Sequence, residues 1–309
     1  MSHETDLKHD IAPQEGRPWL LRDEVEKRPA GAPVKSEPVP VRRGMTVAEG
    51  FCTIVNACVR HFRLNEPLVV ETRSAEPLHQ ARVAIRRLRS ALSLFRPVLG
   101  DGEFDRIRQE LRWFATELGH ARNLDVLLHR DLAPDQRKAL EEKRAAAYDN
   151  VIVAMNSNRF QRLMFELLNW SAAGDWRQAA KATRRLEPFV NRRIDRLWTK
   201  IAAERRLARM SDEHRHVLRI RVKKLRYALE FVAALHSRER KRQRRFAKRL
   251  ERLQDELGVL NDAVVARTVD VPGLWAAAQP RSEADERTHL RDAKLALRGM
   301  RKAGPYWRS

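Results

Sequence analysis

Cysteine is nearly missing from this 309-residue chain: only Cys52 and Cys58 occur. They stand six residues apart on an expected helix, hence on different faces, so no disulfide is expected and a reducing cytoplasm is the default compartment. Aromatics make up 6% of the residues, few for a protein that stacks unpaired bases. Trp113, Trp170 and Trp198 occupy apolar helical positions, where a core role is expected. Glycine and proline are scarce beyond the N-terminus, which with a 33% charged fraction favours long helices over sheets. No apolar run approaches the roughly 18 residues of a membrane helix, and no basic-then-apolar leader opens the chain. Phosphate-loop (G-x-x-x-x-G-K-S/T) and H-E-x-x-H motifs are missing too, as are acid clusters beside the basic stretches; His214 and His216 point to different helical faces. No metal, cofactor or catalytic activity is therefore expected.

What is present is positive charge. Lys and Arg number 62 against 41 acids, a formal net charge of +21. Residues 1–44 hold eight basic and eight acidic residues and six of the 14 prolines, so they read as a disordered tail and the whole excess sits in the body. Such an imbalance opposes compaction unless a polyanion supplies the missing charge.

From Met45 a 3.6-residue period is nearly continuous, with no strand-type alternation, which makes the chain all-α. Helices are expected over 46–64, 75–98, 101–118, 122–155, 158–170, 176–208, 211–236, 239–257 and 260–270, followed by an irregular or partly helical tail over 271–309. An internal repeat runs through this pattern: His79–Leu92 (HQARVAIRRLRSAL) overlays His216–Leu229 (HVLRIRVKKLRYAL) at an offset of 137, and Trp113–Leu128 parallels Arg252–Ala266 at 139. Two related helical bundles are expected, over 45–172 and 173–270.

The repeated segment carries a one-sided charge pattern. At about 100° per residue, His79, Arg82, Arg86 and Arg89 fall within roughly 80° of one another. His216, Arg219, Lys223 and Arg226 form the equivalent stripe; Arg87 and Lys224 flank the two stripes at matching positions. Solvated helix faces normally mix signs, because an acid four residues from a base relieves repulsion. No acid occurs from Pro77 to Gly100 or from His214 to Leu229. Two copies that retain repulsive neighbours imply an external anion, and phosphate suits the planar donor fork of arginine.

These paired motifs, each followed by L-G-x-x-R/N-N/D, closely resemble the CHAD family, the conserved histidine α-helical domain, over about residues 45–270. The resemblance implies two pseudo-symmetric four-helix bundles forming one domain around a basic cavity that binds inorganic polyphosphate, often on polyphosphate granules. It implies phosphate contacts from His79, Arg82, Arg86, Arg87 and Arg89, faced by His216, Arg219, Lys223, Lys224 and Arg226. Asn123 stands where the family shows an acid, though Asp125 remains. Gly119 and Gly258 read as helix ends, with Asn123, Asn261 and Asp262 as caps of the following helices; Arg122 and the nearby acids are alternatively placed to orient stripe arginines. The family is often fused to a triphosphate-tunnel domain marked E-x-E-x-K. Glu24-Val25-Glu26-Lys27-Arg28 is a partial match, but a Pro-rich tail cannot build a strand tunnel. Nucleic acid, as a weaker competing polyanion, is the main rival partner, and a polyphosphate-processing enzyme is a lesser one. A membrane-surface role would need apolar faces that the bundle cores consume.

Overall fold

The computed structural model describes residues 32–205, 207, 210–266, 269, 271 and 283–308, with residues 261–266 and 283 described by their backbone alone. The E-x-E-x-R stretch and the side chains of Asn261 and Asp262 lie outside the described residues. Residues 33–308 belong to one compact unit. Among the described residues there is no strand, only an isolated antiparallel bridge between Thr46 and Arg185.

Helices α1 (Val47–Arg63) and α2 (Glu66–Thr72) are followed by α3 (Ala75–Phe95), α4 (Gly102–Leu128), α5 (Pro134–Asn156) and α6 (Asn158–Ala173). Then come α7 (Leu186–Ala202), α8 (Asp212–Phe231), α9 (Arg240–Ala266) and α10 (Glu283–Ala303). Local chemistry sets several starts. Thr46 and Glu49 form a reciprocal capping box on α1, the Thr46 hydroxyl accepting from Glu49 N at 3.2 Å and the Glu49 carboxylate accepting from Thr46 N at 2.7 Å. Asp101 caps α4 by accepting from Phe104 N at 2.8 Å, and its other oxygen accepts from Trp170 Nε1 at 3.0 Å, tying the start of α4 to α6.

Two expected boundaries were misplaced for one reason. Gly119 and Gly258 do not end helices; both lie inside continuous ones, α4 and α9, and neither is at positive φ. Leu118 and Ala121, fully buried on either side of Gly119, carry α4 through it, because packing outweighs the roughly 1 kcal/mol that an interior glycine costs. The chain breaks only at residues 129–133, and Pro134 opens α5. Asn123, Asn261 and Asp262 are accordingly helix-interior residues, not caps.

In the first half α1 packs on α3, α3 on α4 and α4 on α5; in the second, α7 packs on α8, α8 on α9 and α9 on α10. The two repeated basic helices, α3 and α8, pack against each other, as do α1 and α7. The apolar core is continuous across both halves, from the Phe51, Phe95, Trp170 and Trp176 rings to Trp198, Phe246 and Trp307. Trp170 and Trp198 are thus core residues, while Trp113 is only partly buried, with the Arg159 guanidinium 3.9 Å above its ring. Cys52 and Cys58 are both free thiols.

Two tail segments contribute to this body. The expected disordered tail over residues 1–44 is too long: Val34, Val39 and Val41 are buried, Val34 N donates to Asn65 Oδ1 at 2.9 Å, and Asn65 Nδ2 donates back to Val34 O at 2.9 Å. Buried valines give this proline-punctuated strap an apolar side that the helical period does not register. At the other end, α10 makes the most extensive helix pairing of the fold, along α9, so the second half extends past the boundary expected at residue 270.

Candidate functional site

The α3–α8 contact places the stripes, and α4 supplies one wall. His79, Arg82 and Arg86 project from α3 beside Arg122 of α4 and Arg219 of α8, so that four guanidinium groups and one imidazole are gathered here. Arg82 is affected most. Burial, then the charge of Arg86, and then those of Arg219 and Arg122 push its pKa down to about 9, against a smaller opposing influence of Tyr227. Arg82 makes no ion pair with a carboxylate among the described residues. Arg86 lies over the Tyr227 ring at 5.7 Å, and its Nε is buried without a hydrogen-bond partner, as is Nδ1 of His79. His79 is pushed down to about 4, first by burial and then by Arg122, with Arg86 and Arg82 adding to the effect and Glu76 opposing it. It is therefore neutral at neutral pH.

Gly119 of α4 faces this group. A Cβ there would stand 4.0 Å from Arg82 Nε, so glycine keeps the space beside the guanidinium clear.

The positive lane continues along α3. Arg89 is pushed down by the surrounding protein and then by Arg112 and Arg108, both on α4. Lys224 of α8 is lowered by burial and by Arg89. Arg108 and Arg112 were not expected in the lane, because the acids interspersed around them make their helix face look mixed in the sequence.

Other expected contacts are placed differently. Arg87 is buried in the α3–α8 interface, where it donates to Glu230 at 2.8 Å and to Ser36 Oγ at 3.3 Å and lies 5.2 Å over the Phe231 ring. Arg226 donates to Glu230 at 2.8 Å, with Glu251 at 3.9 Å. Burial works against its charge, but Glu230 and Glu251 more than offset that and raise its pKa. Both residues, expected as phosphate contacts, are paired with the protein's own carboxylate, which sets them apart from Arg82. The carboxylate responsible, Glu230, lies one residue beyond the acid-free stretch, four after Arg226, a spacing that already signals an intrahelical pair. His216 does not mirror His79: it is exposed and borders a different hollow of about 300 Å³, together with Asp212, Arg215, Val217, Leu257 and Leu260. Arg219 and Lys223 are half-buried on α8.

Behind the site, Asp125 is 1% exposed. It accepts from Arg144 Nε at 2.7 Å and from the Tyr148 hydroxyl at 3.1 Å, and it stands 3.8 Å from Arg122. Its hydrogen bonds go to Arg144 and Tyr148, and toward Arg122 it offers a longer-range ion pair. Asn123 is half-buried on the same helix, and nothing in the structure assigns it a role. Among the described residues no cluster of three His, Cys, Asp or Glu could hold a metal ion, and no helix is long and apolar enough to cross a membrane.

Fold and site together define an all-helical protein that gathers desolvated cations between two repeated helices and a third one. The chain belongs to the CHAD domain family, whose sequence profile matches residues 53–269. It is similar to the CHAD domain from the plant Ricinus communis, at 29% identity and a TM-score of 0.70, over 88% of this chain and 96% of that one. PptA from Streptomyces chartreusis shares the fold, at 20% identity and a TM-score of 0.52, over 86% of this chain and 100% of that one. No curated protein matches. Polyphosphate binding is a known property of the family.

Proposed function

We propose that this protein binds inorganic polyphosphate without turning it over, along the lane formed by His79, Arg82, Arg86, Arg122 and Arg219 and continued by Arg89 and Lys224. The observation that carries the reading is Arg82: a guanidinium depressed to about 9 by burial and by like charges, with no carboxylate partner among the described residues. Burying an uncompensated cation is costly, and a chain of linked phosphates offsets that cost by engaging neighbouring cations with one flexible anion. Nucleic acid is less well suited, since Trp170 and Trp198 are in the core and Trp113 lies under Arg159, leaving none of these rings to stack bases. The site offers hydrogen-bond donors and positive charge, the groups that bind phosphate rather than cleave it. Work on polyphosphate granules in the cytoplasm is the setting that this chemistry fits.

The test is a double replacement, Arg82→Met with Arg86→Met. Two lost charge-assisted contacts of roughly 1.5–3 kcal/mol each predict at least a hundredfold weaker polyphosphate binding. The melting temperature should hold or rise, since relieving buried like-charge repulsion stabilises the fold. For the native protein, log K should fall linearly with log salt, with a slope of roughly −0.7 per phosphate engaged if a single-stranded nucleic acid is a fair guide. Undiminished affinity in the double variant would refute the reading; equal displacement by DNA would demote it to general polyanion binding, and release of orthophosphate would reinstate a processing enzyme.

A further inference from the structure

A second cationic hollow, of about 200 Å³, lies at the far end of α3, lined by Pro97, Lys181, Arg184, Phe189, Arg192, Arg193 and Arg196. No acid lines it. The two acids of α7 closest in sequence are engaged elsewhere: Glu187 stands 4.0 Å from Arg43, and Asp195 pairs with Arg308 at 2.6 Å. Lys181, Arg184, Arg192 and Arg196 make no ion pair among the described residues. Arg192 and Arg196 are one helical turn apart, where like charges repel.

The backbone beneath these cations is fixed. Val47 N donates to Arg184 O at 2.9 Å, Ala48 N to Ala182 O at 3.0 Å and Leu186 N to Met45 O at 2.8 Å, so the start of α1 fastens the segment carrying Lys181 and Arg184. Phe189 packs on Phe95 with ring centroids 5.4 Å apart, and Arg193 Nε donates to Leu94 O at 3.1 Å. Arg193 is thus committed to the end of α3, which leaves four exposed cations, Lys181, Arg184, Arg192 and Arg196, around the hollow. A concavity on a fixed backbone brings these cations within reach of one anion, which a convex charged face does not.

We infer that this hollow is a second, separate anchorage for a phosphate chain, formed by Lys181, Arg184, Arg192 and Arg196. The inference rests on the polyphosphate reading above in one respect, that a single chain reaches both places. Along the α3 axis, Arg86 and Pro97 are about 16 Å apart. Arg89 and Arg96 lie between and beside them, 20° apart on the helix at about 100° per residue, so the intervening path is also positive. A chain held at both ends gains avidity from effective concentration, whereas a short oligomer fills either place alone.

The experiment uses the full chain, calorimetric titration with tripolyphosphate and with long-chain polyphosphate, and two variants: R192E/R196E for the hollow and R82M/R86M for the lane. Tripolyphosphate should find two sites on the native protein and one on either variant, and the site remaining in R82M/R86M should vanish when R192E/R196E is added. Long-chain affinity should fall at least about tenfold in R192E/R196E, while tripolyphosphate binding in the lane is unchanged. Arg192 and Arg196 are exposed, so the fold should survive, as circular dichroism would verify. Unaltered stoichiometry and long-chain affinity in R192E/R196E would overturn the inference. So would equal competition for the hollow by a DNA oligonucleotide. If R82M/R86M changes nothing while R192E/R196E removes a site, the lane reading fails and the hollow stands.

Discussion

Replacing His79 with glutamine should remove a specific part of the pH dependence of polyphosphate binding. In the free protein His79 titrates near 4. It is faced by Arg122 from α4 and by Glu76, Arg82 and Arg86 from its own helix. A bound phosphate chain opposes the three cations and favours the imidazolium, so the complex takes up a proton that the free protein does not. A group whose pKa rises on binding strengthens binding as pH falls, through the window between its bound and free values. If the chain returns His79 to the ordinary value near 6.5, affinity gains about tenfold between about pH 7.5 and pH 5.5, nearly all of it below about pH 6.5. Internal phosphates of a long chain stay ionised throughout this range, so the ligand contributes little. Fluorescence anisotropy at fixed ionic strength, comparing native protein with His79→Gln, isolates the residue, because the exposed His216 is common to both. Parallel pH profiles for the two proteins would refute the placement of His79 against the bound chain.

Three other outcomes follow from the packing. Glu230→Gln leaves Arg87 and Arg226 without their shared carboxylate; it should lower stability by about 2–3 kcal/mol in urea titration, near or below the range for a broken buried pair because Glu230 is 34% exposed. It should nonetheless keep or strengthen polyphosphate affinity, and weaker binding would mean that the pair shapes the lane. Gly119→Ala should gain up to about 1 kcal/mol of helix stability with binding intact, since the added methyl only touches Arg82 at 4.0 Å, whereas Gly119→Leu should weaken binding by crowding that guanidinium. His61, 4% exposed, is pushed down to about 4 by burial and then by Arg87. The unfolded chain therefore binds its proton first, so stability present above about pH 6.5 is lost as pH falls toward 4, by about 2 kcal/mol at pH 5; His61→Gln should flatten that part of the melting-temperature profile.

The strap, the lane and the neutralised arginines separate what each level of description decides. Helical class, the repeat and the position of the cationic stripe on α3 were all legible from the 3.6-residue period and the acid-free stretches. Periodicity reports which side of a helix is apolar and which is charged, and burial enforces that division wherever the chain packs. It is silent on what faces a side chain from another helix. Arg82 and Arg87 are five residues apart on one helix, yet Glu230 reaches Arg87 while the charges around Arg82 are those of Arg86, Arg219 and Arg122. Gly119 departs from the expected helix end for a similar reason: a local preference for helix ends lost to the burial of Leu118 and Ala121, contacts formed at long range. Residue type and spacing by themselves determined that this protein carries unneutralised positive helices. Tertiary packing alone decided which of those charges stay unneutralised, because Coulomb interactions in a desolvated interface depend on a few ångströms between helices that are far apart in the chain.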